Sequence, residues 1–213
     1  MSAELTRIEA LLVDLDEEQL LEAVQNSLEA GDDAMEIVKA CRGGMEEVGR
    51  RFSTQEYFVN ELIVSAELFK SVMQIVGPTL AASENQGPKT KVVIGTVKDD
   101  IHDIGKDIVV SMLQCNGFEV YDLGINVPPQ TFVDKVKETG AKVVGLSGLL
   151  TIAFASMEAT IKALRKAAPD VKVMIGGGMT DDMVCQSVGA DAWGHDAIEA
   201  VTLAKSFSEV KAK

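Results

Sequence analysis

Histidine is scarce in this chain of 213 residues, where only His102 and His195 occur. His102 lies in a run dense in titratable groups, Asp99-Asp100-Ile101-His102-Asp103-Ile104-Gly105-Lys106. A carboxylate two residues before an imidazole can accept a hydrogen bond from one ring nitrogen. That sets the tautomer and leaves the other nitrogen free to bind a metal. No HxxxH, CxxC or facial His/carboxylate set accompanies it, so the usual zinc and non-haem iron sites lack their ligands. One histidine as sole protein ligand suits a metal whose other positions are filled by a macrocycle. On position alone a lone loop histidine is usually a surface residue, which is the expectation for His195, and it is Asp100 that raises the ligand reading for His102. Two further runs deserve the same comparison. In Ser147-Gly148-Leu149-Leu150-Thr151 the hydroxyls either reach a ligand or satisfy the end of a strand. In Gly176-Gly177-Gly178 the missing side chains serve either close approach to a ligand or a tight strand-to-helix turn. Neither run is the GxGxxG dinucleotide fingerprint, which follows a first strand, and no GxxxxGK[ST] phosphate loop is present.

These runs fall between elements that the apolar pattern places. Residues 91–97, 118–123, 142–147 and 171–176 are short and rich in β-branched residues, and 191–193 is a candidate fifth, edge strand. Helical patterns cover 105–116, 129–139, 155–167, 180–188 and 196–208. Strands alternating with helices predict a parallel sheet covered on both faces. Such sheets bind ligands at the carboxyl ends of their strands, where all three runs fall. Ahead of this half the pattern is helical only, over about 2–12, 16–30, 32–51 and 57–82. Asp16 with Gln19 reads as a capping box, and Gly31 before Asp32 and Asp33 as a stop and restart. Short connections predict an antiparallel four-helix bundle. The polar, Gly-Pro-containing segment 82–89 reads as a linker, giving a helical domain over 1–88 and an α/β domain over 89–213.

Composition narrows the partners. The formal net charge is −13, and residues 1–88 hold most of it, with 6 Lys+Arg against 17 Asp+Glu. Clustered positive charge for phosphate neutralisation is missing, so neither nucleic acid nor an anionic membrane surface is expected as a partner. The acidic helices read as a solvated surface or as a docking face for a basic partner. No apolar run reaches the ~20 residues of a membrane-spanning helix, and the N-terminus shows no secretion signal. Cys41, Cys115 and Cys185 are scattered and odd in number, which suits a reducing, cytoplasmic setting.

The spacing of the three runs is specific. Asp100-x-His102-x-x-Gly105 is followed after 41 residues by Ser147-x-Leu149 and after a further 26 by Gly176-Gly177. This resembles the cobalamin-binding signature of methionine synthase and of the corrinoid proteins of methanol, methylamine and demethylating methyltransferase systems. The match continues through Leu113–Gly117 and Asp122–Pro128, and the helical half is similar to the cap that precedes this domain in that family. The resemblance implies a four-helix cap followed by a Rossmann-like, flavodoxin-type domain of five parallel strands. It implies cobalamin bound base-off, with His102 replacing the dimethylbenzimidazole as cobalt ligand and Asp100 accepting a hydrogen bond from it. Asp99, Ile101, Asp103, Ile104 and Gly105 complete the cofactor-binding run. Ser147, Leu149 and Thr151 line one side of the nucleotide tail and Gly176, Gly177 and Gly178 the other, with Ala197 a further tail contact. Phe52 and Val59 fall where methionine synthase places two apolar residues above the methyl group, and seven residues is about two turns if the intervening segment is helical. One position departs from the pattern. The serine that extends the His–Asp pair into a triad in methionine synthase is Ala153 here, which puts the proton relay beyond Asp100 in doubt.

The implied function is a methyl carrier. It serves a substrate-specific methyltransferase, an acceptor-side methyltransferase using tetrahydrofolate or a thiol, and a reductive activation protein. A cobalamin-dependent sensor is the alternative within the same fold. A receiver-type signalling domain also begins with an acidic pair after its first strand. It needs an Asp after the third strand, where Ser147-Gly148 stands, and a Lys after the fifth, where Gly194-His195 stands.

Overall fold

The computed structural model describes residues 3–82 and 89–209. The chain divides into two compact units, Met1–Pro88 and Lys89–Lys213. The interior of the linker read over 82–89 lies outside the described residues.

The first unit contains helices α1 (Ala3–Val13), α2 (Glu17–Glu29), α3 (Ala34–Ser53) and α4 (Val59–Ala82). Its core is the apolar stripe of each helix, with Ile8, Leu12, Leu20, Ile37, Met45 and Leu62 fully buried. Removing each such side chain from water contributes about 1.5–3 kcal/mol. Asp16 caps α2 by accepting from the Gln19 backbone N–H at 3.1 Å. The capping box is only half formed. The Gln19 side chain donates to the Asp16 carboxylate at 2.6 Å, because the Asp16 backbone N–H already donates to Leu11 O. Gly31, at φ +90°, ends the next turn, and Asp33 caps α3 through the Met35 N–H.

The second unit alternates β1 (Lys91–Thr96), α5 (Ile104–Cys115), β2 (Glu119–Asp122), α6 (Pro129–Thr139), β3 (Val143–Ser147), α7 (Ala153–Ala167), β4 (Lys172–Gly176), α8 (Asp182–Val188), β5 (Ala192–Gly194) and α9 (Ala197–Glu209). The five strands are parallel in the order β2-β1-β3-β4-β5. This is the flavodoxin-type order, whose switch point lies between β1 and β3. Helices α5 and α9 pack together, and α6, α7 and α8 form a second packed row. Val93, Val144, Leu146, Val173 and Ile175 from alternate strand positions join Phe132, Met157, Ile161 and Leu164 in one core. The closely paired strand ends put the loops after β1, β3 and β4 side by side, with Thr96 opposite Ser147 and Ser147 opposite Gly176. Among the described residues no helix is long and apolar enough to cross a membrane.

Candidate functional site

The three runs singled out by the sequence meet at the carboxyl edge of this sheet. Asp100 is their centre. Its residue is 2% exposed, although the loop around it is open to water. Oδ1 accepts from the His102 backbone N–H at 2.9 Å and lies 2.7 Å from His102 Nδ1. Oδ2 accepts from the Leu149 N–H at 2.7 Å and the Leu150 N–H at 3.3 Å. Burial opposes charge on this carboxyl, but the hydrogen bonds from His102, Leu149 and Leu150 outweigh it and hold the group at about 2. An ionised carboxylate only accepts, so Nδ1 carries the proton that points to it, and Nε2 of the neutral ring keeps its lone pair. The His102 side chain is 47% exposed. The arrangement therefore presents one basic nitrogen to the outside from a ring braced from behind. Among the described residues no group of three or more His, Cys, Asp and Glu side chains is placed to hold a metal ion.

The relay question raised by Ala153 has a structural answer. Ala153 is fully buried at the start of α7. The second Asp100 oxygen meets the Leu149 and Leu150 backbone amides, and among the described residues no side-chain hydroxyl bonds to it.

The remaining positions are distributed as follows. Asp99, Ile101, Asp103 and Ile104 are exposed around His102, and Asp103 stands at the N-cap of α5 without a side-chain capping bond. Gly105 is exposed in the first turn of α5, and a Cβ there would meet nothing within 4 Å. Protein packing does not require this glycine. Ser147 is half-buried, and Leu149 and Thr151 are exposed. At Gly177 the reason for glycine is the protein's own contact between loops. Its φ is +139°, and a Cβ would come within 1.9 Å of Gly148 O. A Cβ on Gly178 would meet Leu149 Cδ1 at 2.9 Å, so the β3 and β4 loops lie directly against each other. The Gly176 carbonyl accepts from the Gly148 N–H at 3.1 Å. Ala197 is buried as the first residue of α9, whose amides Asp196 caps at Ile198 and Glu199. His195 is exposed, with its ring edge-on to Trp193.

Phe52 and Val59 belong to the helical unit and do not share a helix face. Phe52 is half-buried in the last turn of α3, and Val59 is exposed as the first residue of α4. A turn over 54–58 separates them, with Thr54 closing α3 and Gln55 left-handed at φ +63°. Tyr57 holds that turn by donating to Val13 O at 2.8 Å while accepting from Arg51. Beside Val59, Phe58, Ile63 and Val64 are also exposed.

Sequence reasoning named Ile101, Ile104 and Leu149 but missed the apolar residues that accompany them, and Lys106. Around the His102 loop, Ile101 and Ile104 are exposed at 67% and 77%. Ile125, Leu150, Ile152, Met179 and Met183 are exposed too, all on segments that follow β2, β3 and β4. Together with Leu149 they account for every large exposed apolar side chain described in this unit, all gathered at one edge of the sheet. An apolar concentration of this kind marks a binding surface. Only placement reveals it, since in the sequence these residues are scattered over separate segments that the strand order brings together. Lys106 is 3% exposed, with Nζ between Asp107 at 2.5 Å and Asp122 at 2.6 Å. Burial lowers the pKa of this ammonium, but the two carboxylates prevail and raise it. The ion pairs tie the first turn of α5 to the end of β2. No signal in the sequence distinguished this lysine from a surface one.

A flavodoxin-type sheet carrying one braced imidazole amid exposed apolar loops, preceded in the chain by a four-helix unit, is the architecture of a B12-binding protein. The B12 binding domain family model matches residues 90–202, and a second B12 binding domain model matches residues 4–76. The "Trimethylamine corrinoid protein" of Methanosarcina barkeri is 37% identical over 203 residues, covering 93% of this chain and 94% of that one. The crystal structure of a cobalamin-binding protein from Desulfitobacterium hafniense DCB-2 is similar with a TM-score of 0.81 at 40% identity, covering 95% and 98% of the two chains. The methanol:cobalamin methyltransferase complex of Methanosarcina barkeri shares the fold at a TM-score of 0.84 and 24% identity, covering 99% of this chain and 82% of that one. The chain belongs to the B12-binding, corrinoid protein family. Membership implies a corrinoid cofactor and a methyl-carrier role.

Proposed function

We propose that this protein binds cobalamin base-off, with His102 Nε2 as the protein ligand to cobalt, and carries a methyl group between two methyltransferases. The carrying observation is the His102–Asp100 pair, in which a buried, ionised carboxylate fixes the tautomer that leaves Nε2 basic. The residues present fit the group. The apolar ring face and methyl groups of a corrin suit the exposed Ile101, Ile104, Ile125 and Leu150, and Gly105 leaves open space in the first turn of α5. Bound cobalamin supplies the cobalt to which a methyl group is delivered and from which it is taken.

The chain's own side chains do the holding. Asp100 orients the ring and stays charged. Ser147, Leu149 and Thr151 with Gly176, Gly177, Gly178 and Ala197 are the proposed contacts of the nucleotide tail, and Asp99 and Asp103 flank the ligand loop. Phe52 and Val59 are the proposed apolar contacts of the methyl-bearing face, where exclusion of water protects a reactive bond. With Asp100 bonded to backbone amides in place of a serine, the proton linkage ends at the carboxylate. The proposed partners are a substrate-specific methyltransferase, an acceptor-side methyltransferase that passes the methyl to tetrahydrofolate or a thiol, and a reductive activation protein. The acidic helical unit suits partners with basic docking faces.

Reconstitution with hydroxocobalamin tests the reading. One cobalt per chain and a base-off, His-on visible spectrum are expected. His102→Ala changes the spectrum while much of the corrinoid is retained, because the tail contacts persist. A spectrum indifferent to that substitution overturns the ligand assignment.

A further inference from the structure

Two of the four left-handed non-glycine residues described lie beside the ligand loop, and they hold each other. Asp99 has φ +70° and Asn126 has φ +53°. Both are residue types that tolerate this region better than most, yet neither adopts it without support from its surroundings. The Asp99 backbone N–H donates to Asn126 Oδ1 at 2.9 Å. The Asn126 backbone N–H donates to Asp100 O at 3.0 Å. One asparagine from the loop after β2 thus grips the chain on both sides of the Asp99–Asp100 peptide, 27 and 26 residues earlier in sequence.

The neighbouring backbone bonds lead to the same place. The Thr96 N–H donates to Gly124 O, the Val127 N–H donates to Thr96 O, and Val97 bridges Val127. The Thr96 hydroxyl donates to His102 O at 3.0 Å. The 124–127 segment is therefore stitched to the end of β1, and Asn126 is the member that reaches the turn carrying Asp100. That turn must be exact, because Asp100 has to meet His102 on one side and the Leu149 and Leu150 amides on the other.

We infer that Asn126 is a positioning residue for cobalt ligation: its side-chain carbonyl clamps the Asp99–Asp100 turn and so sets the reach of the His102 imidazole. This rests on the proposed His102–cobalt bond and adds to it a residue outside the Asp-x-His run. The clamp belongs to the acceptor oxygen. An aspartate at 126 preserves both the oxygen and the tolerance of a left-handed backbone, whereas glycine preserves the backbone alone.

The test compares wild type with Asn126→Gly and Asn126→Asp. Amide hydrogen exchange at Asp99 is measured without cofactor. Hydroxocobalamin affinity, and the nitrogen hyperfine splitting of the Co(II) form in electron paramagnetic resonance, are measured after loading. Asn126→Gly is expected to exchange the Asp99 amide at least tenfold faster, to bind hydroxocobalamin about tenfold more weakly, and to show a reduced His-on fraction at an unchanged unfolding midpoint. Asn126→Asp is expected to restore exchange, affinity and His-on fraction to within threefold of wild type. Faster exchange in Asn126→Gly with wild-type affinity and splitting overturns the positioning role. Asn126→Asp behaving like Asn126→Gly also overturns it, since the amide nitrogen would then be the group that matters. Wild type that takes up cobalamin without nitrogen splitting, or takes up none, removes the underlying ligand assignment itself, an outcome read from the unsubstituted protein alone.

Discussion

Asp100→Asn isolates the physical role of the buried carboxylate. The native group accepts from four donors, two from His102 and two from the β3 loop. An amide has one acceptor oxygen and one donating nitrogen, so it can satisfy only one of these pairs. With its oxygen kept toward Leu149 and Leu150, its NH2 faces the His102 N–H and ring. The ring then answers by moving its proton from Nδ1 to Nε2, the nitrogen assigned to the metal. Replacing charge-assisted bonds worth about 1.5–3 kcal/mol each, and leaving the His102 N–H facing a donor, is expected to destabilise the ligand-free protein by about 2–4 kcal/mol at neutral pH. The acid limb gives the sign. Asp100 sits at about 2 in the folded chain against 3.8 for the free side chain, a depression equivalent to about 2 kcal/mol. That contribution is complete above the unfolded value and fades as pH falls through the folded one. The stability gap between wild type and variant should therefore narrow as pH drops from about 5 to about 2. Denaturant unfolding across this range measures the gap, and nitrogen NMR of the two imidazole nitrogens reads the tautomer directly. A wild-type ring protonated at Nε2, or a gap below about 0.5 kcal/mol at pH 7, refutes the reasoning.

Two glycine substitutions separate packing from binding. Gly177→Ala drives a methyl into the Gly148 carbonyl at a positive φ and is expected to cost about 3 kcal/mol or more of unfolding free energy, measured by denaturation. Gly105→Ala meets no neighbour within 4 Å and is expected to stabilise the ligand-free protein by about 0.5–1 kcal/mol while lowering hydroxocobalamin affinity. An alanine at 105 that leaves affinity intact shows that the open space there is not used.

Much of this architecture is written in local pattern. Apolar residues at helical spacing in 62–73 and β-branched runs such as 91–97 declare helix and strand wherever a chain buries one face, and the alternation of the two demands a parallel sheet. The proximity of Asp100 to His102 is equally local, since two residues cannot separate far. Element ends were less legible. The segment 54–58 is a turn held by Tyr57 and Val13, 44 residues apart, so Phe52 and Val59 could not be placed on common or separate faces from spacing alone.

What the sequence by itself determined is the inventory: one scarce imidazole beside a carboxylate, small residues at strand ends, and two stretches of different hydrophobic period. What the tertiary structure decided is everything that depends on segments distant in the chain. It supplied the Leu149 and Leu150 amides that keep Asp100 charged, 49 and 50 residues away. It also brought Asn126 to the Asp99 turn, buried Lys106 against Asp122, and collected exposed apolar side chains at one sheet edge. The physical reason is that backbone donors, charge pairs and surface patches have no sequence period. They come into being only when strand order brings separate loops together.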